Sequence, residues 1–145
     1  MNTIGRHVLA ELYGCHSNLL SSVDVIRREM LQAARVIGAT VMGETFHQFA
    51  PQGVSGTVVI AESHLSIHTW PEAAYAAIDI YTCGQLDPRP GMDHLAAALG
   101  ANARRLQEIV RGLPEELDPK RAWVPEDVQI ITHSVLETLP ERKGA

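Results

Sequence analysis

Three reactive side chains, Ser63, His68 and Cys83, fall within 21 residues of this chain. They sit in the run Glu62-Ser63-His64-Leu65-Ser66-Ile67-His68-Thr69-Trp70-Pro71-Glu72 and the triplet Thr82-Cys83-Gly84. A hydroxyl, an imidazole and a thiol can supply a nucleophile, a base and an acid to one site. Taken singly, each has an ordinary role. A Ser after a strand is usually a turn residue or a cap, and no G-x-S-x-G elbow surrounds Ser63. A strand His is more often a satisfied structural group than a catalyst. A Cys before Gly can be a small buried apolar residue. Their crowding near the ends of predicted strands favours chemistry.

Other site classes are poorly served. His64 and His68 are four apart, which on a helix would chelate zinc. On a strand they share a face but stand about 13 Å apart. No His-Glu-x-x-His or Cys pair completes a ligand set, so no metal is expected. Gly53-x-x-Gly56 is too short for a phosphate cradle and leads into a strand rather than a helix.

The positioning elements follow from pattern. Residues 4–13 alternate as a strand with one buried face. Ser17 or Asn18 is placed to cap a helix, and the spacing of Leu19, Val23, Ile26, Met30, Ala33, Ala34 and Ile37 predicts one amphipathic helix ended by Gly38. Thr40–Phe49 follows, then a turn at Gln52-Gly53. Gly56–Ala61, Leu65–Trp70 and Ala76–Thr82 read as strands. Residues 84–91 form a loop, Met92–Leu99 a second helix, and Arg104–Val110 a strand or more helix. Val128–Thr132 suits a short strand, and Glu141–Ala145 a frayed end.

This order predicts an α+β two-layer sandwich, an antiparallel sheet with helices on one face. The apolar run Val58-Val59-Ile60 implies that the second face is covered too, which a homodimer packing sheet to sheet would do. At 145 residues the chain is most simply one domain, large enough to need no disulfide or metal staple. A net charge of −5 without a basic stripe argues against nucleic acid. Two distant cysteines, no signal-peptide pattern and no membrane-length apolar run predict a cytoplasmic protein.

The run from Glu62 to Glu72 resembles the self-processing segment of the prokaryotic S-adenosylmethionine decarboxylases. Thr45-Phe46-His47-Gln48-Phe49-Ala50-Pro51-Gln52-Gly53-Val54-Ser55-Gly56 resembles the segment before it. Ala76-Ala77-Ile78-Asp79-Ile80-Tyr81-Thr82-Cys83-Gly84 resembles the catalytic-cysteine strand, and Gly5-Arg6-His7 also fits. The likeness covers roughly residues 4–112. It implies a decarboxylase domain over 1–112, with 113–145, rich in proline and containing Trp123, an extension of unassigned role.

The resemblance implies a proenzyme that cuts itself between Glu62 and Ser63, giving a β chain of residues 1–62 and an α chain from 63. Ser63 would become a pyruvoyl group, with no metal and no pyridoxal phosphate. That ketone would form a Schiff base with the substrate amine and take up the electrons left by decarboxylation. His68 would be the proton acceptor in processing, with Ser55 assisting. Cys83 would be the proton donor in catalysis, since a thiol is mostly protonated at neutral pH. Phe49 and Leu65 would sandwich the adenine and Glu72 would bind the ribose. The product would be CO2 and the aminopropyl donor for spermidine, made by a homodimer with its site between subunits. Two alternatives stay open: a same-family decarboxylase of arginine or ornithine, and an unprocessed paralogue that regulates a partner. The intact Ser63, His68 and Cys83 argue against the second.

Overall fold

The computed structural model describes residues 5–114, 117–122 and 134–140. The expected strand at Val128–Thr132, the frayed end and Trp123 lie outside those residues.

Among the described residues, seven antiparallel strands make one sheet in the order β2-β3-β4-β5-β1-β6-β7. They are β1 (Gly5–Tyr13), β2 (Thr40–Gln48), β3 (Val54–Ala61), β4 (Ser63–Trp70), β5 (Tyr75–Cys83), β6 (Ala103–Arg111) and β7 (Ser134–Thr138). The helices are α1 (Ser17–Leu20), α2 (Val23–Val36) and α3 (Arg89–Ala98). Strand alternation sends Val8, Ala10, Leu12, Leu65, Ile67, Ile78 and Ile80 to one face. There they meet Ile26, Met30, Ala33 and Ala34 of α2 and Met92, Leu95 and Ala96 of α3, all buried. The α+β sandwich with helices on one face is the observed architecture.

The single long helix is instead two. Ser21 and Ser22 interrupt it because their hydroxyls compete with the helical backbone. Ser22 caps α2 by accepting from the Val25 N–H at 3.3 Å. Neither expected cap serves: Ser17 donates to the Pro71 carbonyl at 2.8 Å, and His16 precedes α1 without a side-chain cap bond. Leu20 keeps the apolar stripe continuous across the break, which is why periodicity alone hides it. The expected loop 84–91 yields its last residues to α3, with Pro90 tolerated in the first turn. Residues 103–111 are strand, not helix.

Val58 and Ile60 are buried under the helices, but Val59 is 48% exposed on the other face. The apolar run therefore straddles both faces, and the second face is open in the single chain. Beyond residue 112, β7 pairs with β6, Glu137 binds Arg104 at 3.0 Å, and Leu139 packs on the core. Part of the extension is thus an edge strand of the same sheet.

Candidate active site

The outer sheet face carries the histidines and Asp79 because β4 and β5 alternate, while Ser63, on the parity of Leu65, reaches Cys83 from the turn end of β4. Aliphatic Leu65, Ile67, Ile78 and Ile80 go inward, so His64, Ser66, His68, Trp70, Asp79 and Tyr81 face out. Ser63 opens β4 and Cys83 ends β5. Ser63 Oγ and Cys83 Sγ are 3.2 Å apart, both partly exposed. A cavity of about 340 Å³ beside them is lined by Gly38, Ala61, Glu62, Cys83, Gly84 and Leu86. The Glu62-Ser63 bond is therefore open to solvent and next to a thiol. The other cysteine, Cys15, is buried, and desolvation pushes its thiol up to about 12, which removes it as a nucleophile.

Ser63 has φ 103°, a left-handed value for a residue with a Cβ. Such a conformation costs of order 1–3 kcal/mol and needs a surrounding that enforces it. It also has a chemical consequence. At ordinary negative φ the Cβ of an L-residue points away from the preceding carbonyl carbon. At φ 103° the Cβ nearly eclipses that carbon. The hydroxyl is then on the side from which a five-membered ring to the Glu62 carbonyl can close.

A second reactive pair lies at the far end of the same strands. Register sets Ser55 opposite His68, and Ser55 Oγ is 2.8 Å from His68 Nδ1. A cavity of about 320 Å³ includes both, with Phe49, Gln52, Trp70 and Glu72. Phe49 is 47% exposed, its ring edge-on to His47. Glu72 is exposed in the turn after β4 and accepts from Gln52 Nε2 at 3.3 Å. Ser63 and His68, however, are five residues apart on one extended strand, about 16 Å by the strand rise. The structure joins Ser63 to Cys83 and Ser55 to His68, and keeps the two pairs apart.

Leu65 needs correction. Its side chain is fully buried on the helix face, in phase with Ile67, and it lines neither cavity. It serves the core, not an adenine. Trp70, 42% exposed in the Phe49 cavity and stacked on Tyr75 at 5.2 Å, is the aromatic surface that the motif reading leaves out.

Between the two ends lies a polar network absent from the motif reading. Asp79 accepts from His7 Nε2 at 2.7 Å, from His64 Nε2 at 2.8 Å and from Ser66. Burial works to raise its pKa, but these bonds outweigh burial and hold the carboxyl below its usual range. Hydrogen bonds to a charged group contribute about 1.5–3 kcal/mol each, enough together to offset strain at one residue. Arg111 Nη1 donates to His7 Nδ1 at 3.2 Å. Arginine only donates, so the neutral His7 ring carries its proton on Nε2, aimed at Asp79. His7, His64 and Asp79 bring three potential metal-ligand atoms within 4.8 Å of one another. The lone pair of His7 is already committed to a cationic partner, so the set is wired for hydrogen bonding rather than for a metal.

The fold is an antiparallel α+β sheet that sets a serine at positive φ beside a thiol on neighbouring strands. Comparison with known proteins gives the family. Residues 6–112 match the family model described as S-adenosylmethionine decarboxylase, and the chain belongs to that family. It is 51% identical over 113 residues to the S-adenosylmethionine decarboxylase proenzyme of Geobacillus kaustophilus, covering 78% of this chain and 91% of that one. It is 49% identical over 128 residues to the S-adenosylmethionine decarboxylase proenzyme of Thermotoga maritima, covering 88% and 95%. The crystal structure of the adenosylmethionine decarboxylase from Aquifex aeolicus superposes with a TM-score of 0.73 at 33% identity, covering 85% of this chain and all of that one.

Proposed function

We propose that this chain is a self-processing, pyruvoyl-dependent decarboxylase of S-adenosylmethionine, acting as a homodimer with each site shared between two copies. The observation that carries the reading is Ser63 at positive φ after a solvent-open Glu62, with Cys83 Sγ at 3.2 Å. The decarboxylase domain is residues 1–112, cut into 1–62 and a chain from 63. The extension beyond 112 contributes the edge strand β7 to the same sheet.

In processing, the Ser63 Oγ bonds to the Glu62 carbonyl carbon and the Glu62–Ser63 C–N bond breaks, leaving an ester and a free Ser63 amine. Removal of the Ser63 Cα proton then expels the Glu62 carboxylate. Water replaces the resulting nitrogen, ammonia leaves, and residue 63 ends as a ketone. The proton needs a base, and the His68 on the same chain stands too far away. A two-fold dimer of open sheet faces whose axis runs across β4 solves this, because that symmetry sets the β4 start of one copy over the β4 end of the other. His68 and Ser55 of a second copy then face Ser63, and Phe49, Trp70 and Glu72 of that copy complete the substrate cavity.

The residues present fit a pyruvoyl group rather than pyridoxal phosphate: the only lysines, Lys120 and Lys143, follow the catalytic strands, and no phosphate cradle is present. That group supplies an electron sink for the carbanion left by decarboxylation. Cys83 delivers the proton to the substrate carbon. Phe49 and Trp70 offer π-faces to a flat base, and Glu72 offers acceptors to ribose hydroxyls. Among the described residues, no helix is long and apolar enough to cross a membrane. Two free cysteines suit a reducing, cytoplasmic setting.

The direct test is CO2 release from carboxyl-labelled S-adenosylmethionine, arginine and ornithine, assayed side by side. S-adenosylmethionine is expected to be turned over. Release from arginine or ornithine alone reassigns the substrate, and release from none leaves the regulatory paralogue. Cys83→Ala is expected to cleave normally yet lose about 10²–10⁴ in turnover, the usual span for removing a catalytic acid. Unchanged turnover in that variant removes Cys83 from the reaction.

A further inference from the structure

A serine at φ 103° must be held there from at least one side. On the upstream side the backbone is held by the tight β3–β4 turn, where Ser63 pairs with Ile60 across the exposed Glu62. On the downstream side the next residue, His64, is fixed through its ring. His64 Nε2 meets Asp79 Oδ2 at 2.8 Å. Asp79 is in turn bound by His7 at 2.7 Å and by Ser66. His7 is held by Arg111 at 3.2 Å, and the Arg111 guanidinium lies 4.4 Å over the Tyr81 ring. Four adjacent strands, β6, β1, β5 and β4, contribute to this chain of bonds. It begins at a cation and ends one residue from the scissile bond.

We infer that His64, clamped by the Arg111–His7–Asp79 chain, is a positioning residue for self-cleavage at Glu62–Ser63. This rests on the proposed function and adds to it a role for side chains that never meet the substrate. The clamp fixes the backbone just after Ser63 and, together with the turn before it, resists relaxation of the N–Cα rotation that turns Cβ toward the Glu62 carbonyl carbon. The affected step is the attack itself: Oγ–C bond formation with loss of the C–N bond. The later proton removal from Cα does not depend on the clamp.

The chain predicts an order of effects. His64→Ala removes the anchored ring. His64→Gln keeps an N–H donor on a side chain long enough to reach Asp79. Arg111→Gln acts two partners further away and leaves the fold of β4 untouched.

The experiment follows conversion of freshly made full-length precursor into its two fragments, with and without hydroxylamine, which cleaves a backbone ester but not an amide. His64→Ala is expected to convert about 10- to 100-fold more slowly than the unaltered protein, the rate equivalent of one hydrogen bond to a charged group. Hydroxylamine should not restore its rate, because little ester forms. His64→Gln should recover most of the rate, which a general packing role for the ring would not give. Should His64→Ala fail to fold by circular dichroism, Arg111→Gln is expected to slow conversion several-fold in the same hydroxylamine-insensitive way. Cleavage of the folded His64 variant, or of Arg111→Gln in its place, at the unaltered rate overturns the inference. So does rescue by hydroxylamine, which would put the defect after ester formation. An unaltered protein that never cleaves overturns the proposed function, and the inference with it.

Discussion

Replacing Ser63 with alanine leaves one full-length chain on a denaturing gel, whereas the unaltered protein separates into residues 1–62 and 63–145. The expected effect is complete, because alanine has no oxygen to attack the Glu62 carbonyl. Geometry makes the result specific. Ser63 closes the tight β3–β4 turn at Glu62 and is the first residue of β4, paired with Ile60 across that turn and with Thr82 on the other side, and its φ is positive. A non-glycine residue at positive φ is strained even beside a turn, and the same φ brings the Ser63 Cβ over the preceding carbonyl carbon, where a ring can close. Contaminating protease would cut the alanine variant as readily as the parent. Equal fragmentation of both would therefore reject self-cleavage.

The second large effect concerns the shared site. Cys83→Ala chains and His68→Ala chains, each inactive alone, are expected to regain activity when co-expressed. The reason is the distance of about 16 Å between the two reactive pairs on one β4 strand. In a mixed dimer, one site takes its Ser63 and Cys83 from the His68→Ala chain and its His68 from the Cys83→Ala chain, and that site is intact. The other site carries both defects. Random pairing makes half the dimers mixed, each with one good site, so about a quarter of full activity should return. The cleavage pattern is a second readout. In the mixed dimer the His68→Ala chain is the one that is cut. Were each site built within one chain, that chain would stay whole and activity would not return.

Much of the architecture was legible because it rests on alternation and spacing. β1, β3, β4 and β5 follow from their apolar phase, and α2 from its stripe. The Ser21-Ser22 break was not, since Leu20 carries the stripe across it. β7 has no apolar periodicity of its own and exists because β6 offers an edge. In the site, the motif marks Ser63, Cys83, Ser55, His68, Phe49 and Glu72 at solvent-accessible positions. Leu65 was assigned against its own phase: it alternates with Ile67, which marks the core face. The strand arithmetic that parts His64 from His68 also parts Ser63 from His68, so the split site could have been read from spacing. The clamp could be read only in part. A charged residue in Ile78-Asp79-Ile80 is a signal of an outward acid. That Arg111 reaches His7, 104 positions away, depends on β1–β6 register, which no local pattern encodes.

The account depends most on the chain building a ketone out of Ser63. Mass spectrometry of freshly purified protein, before and after borohydride, tests that directly. The account predicts a fragment starting at residue 63 that is lighter than its serine form by one ammonia, gains hydrogen on reduction, and has no free amino terminus. An intact 145-residue chain, or a fragment that begins with an unmodified serine, would contradict it.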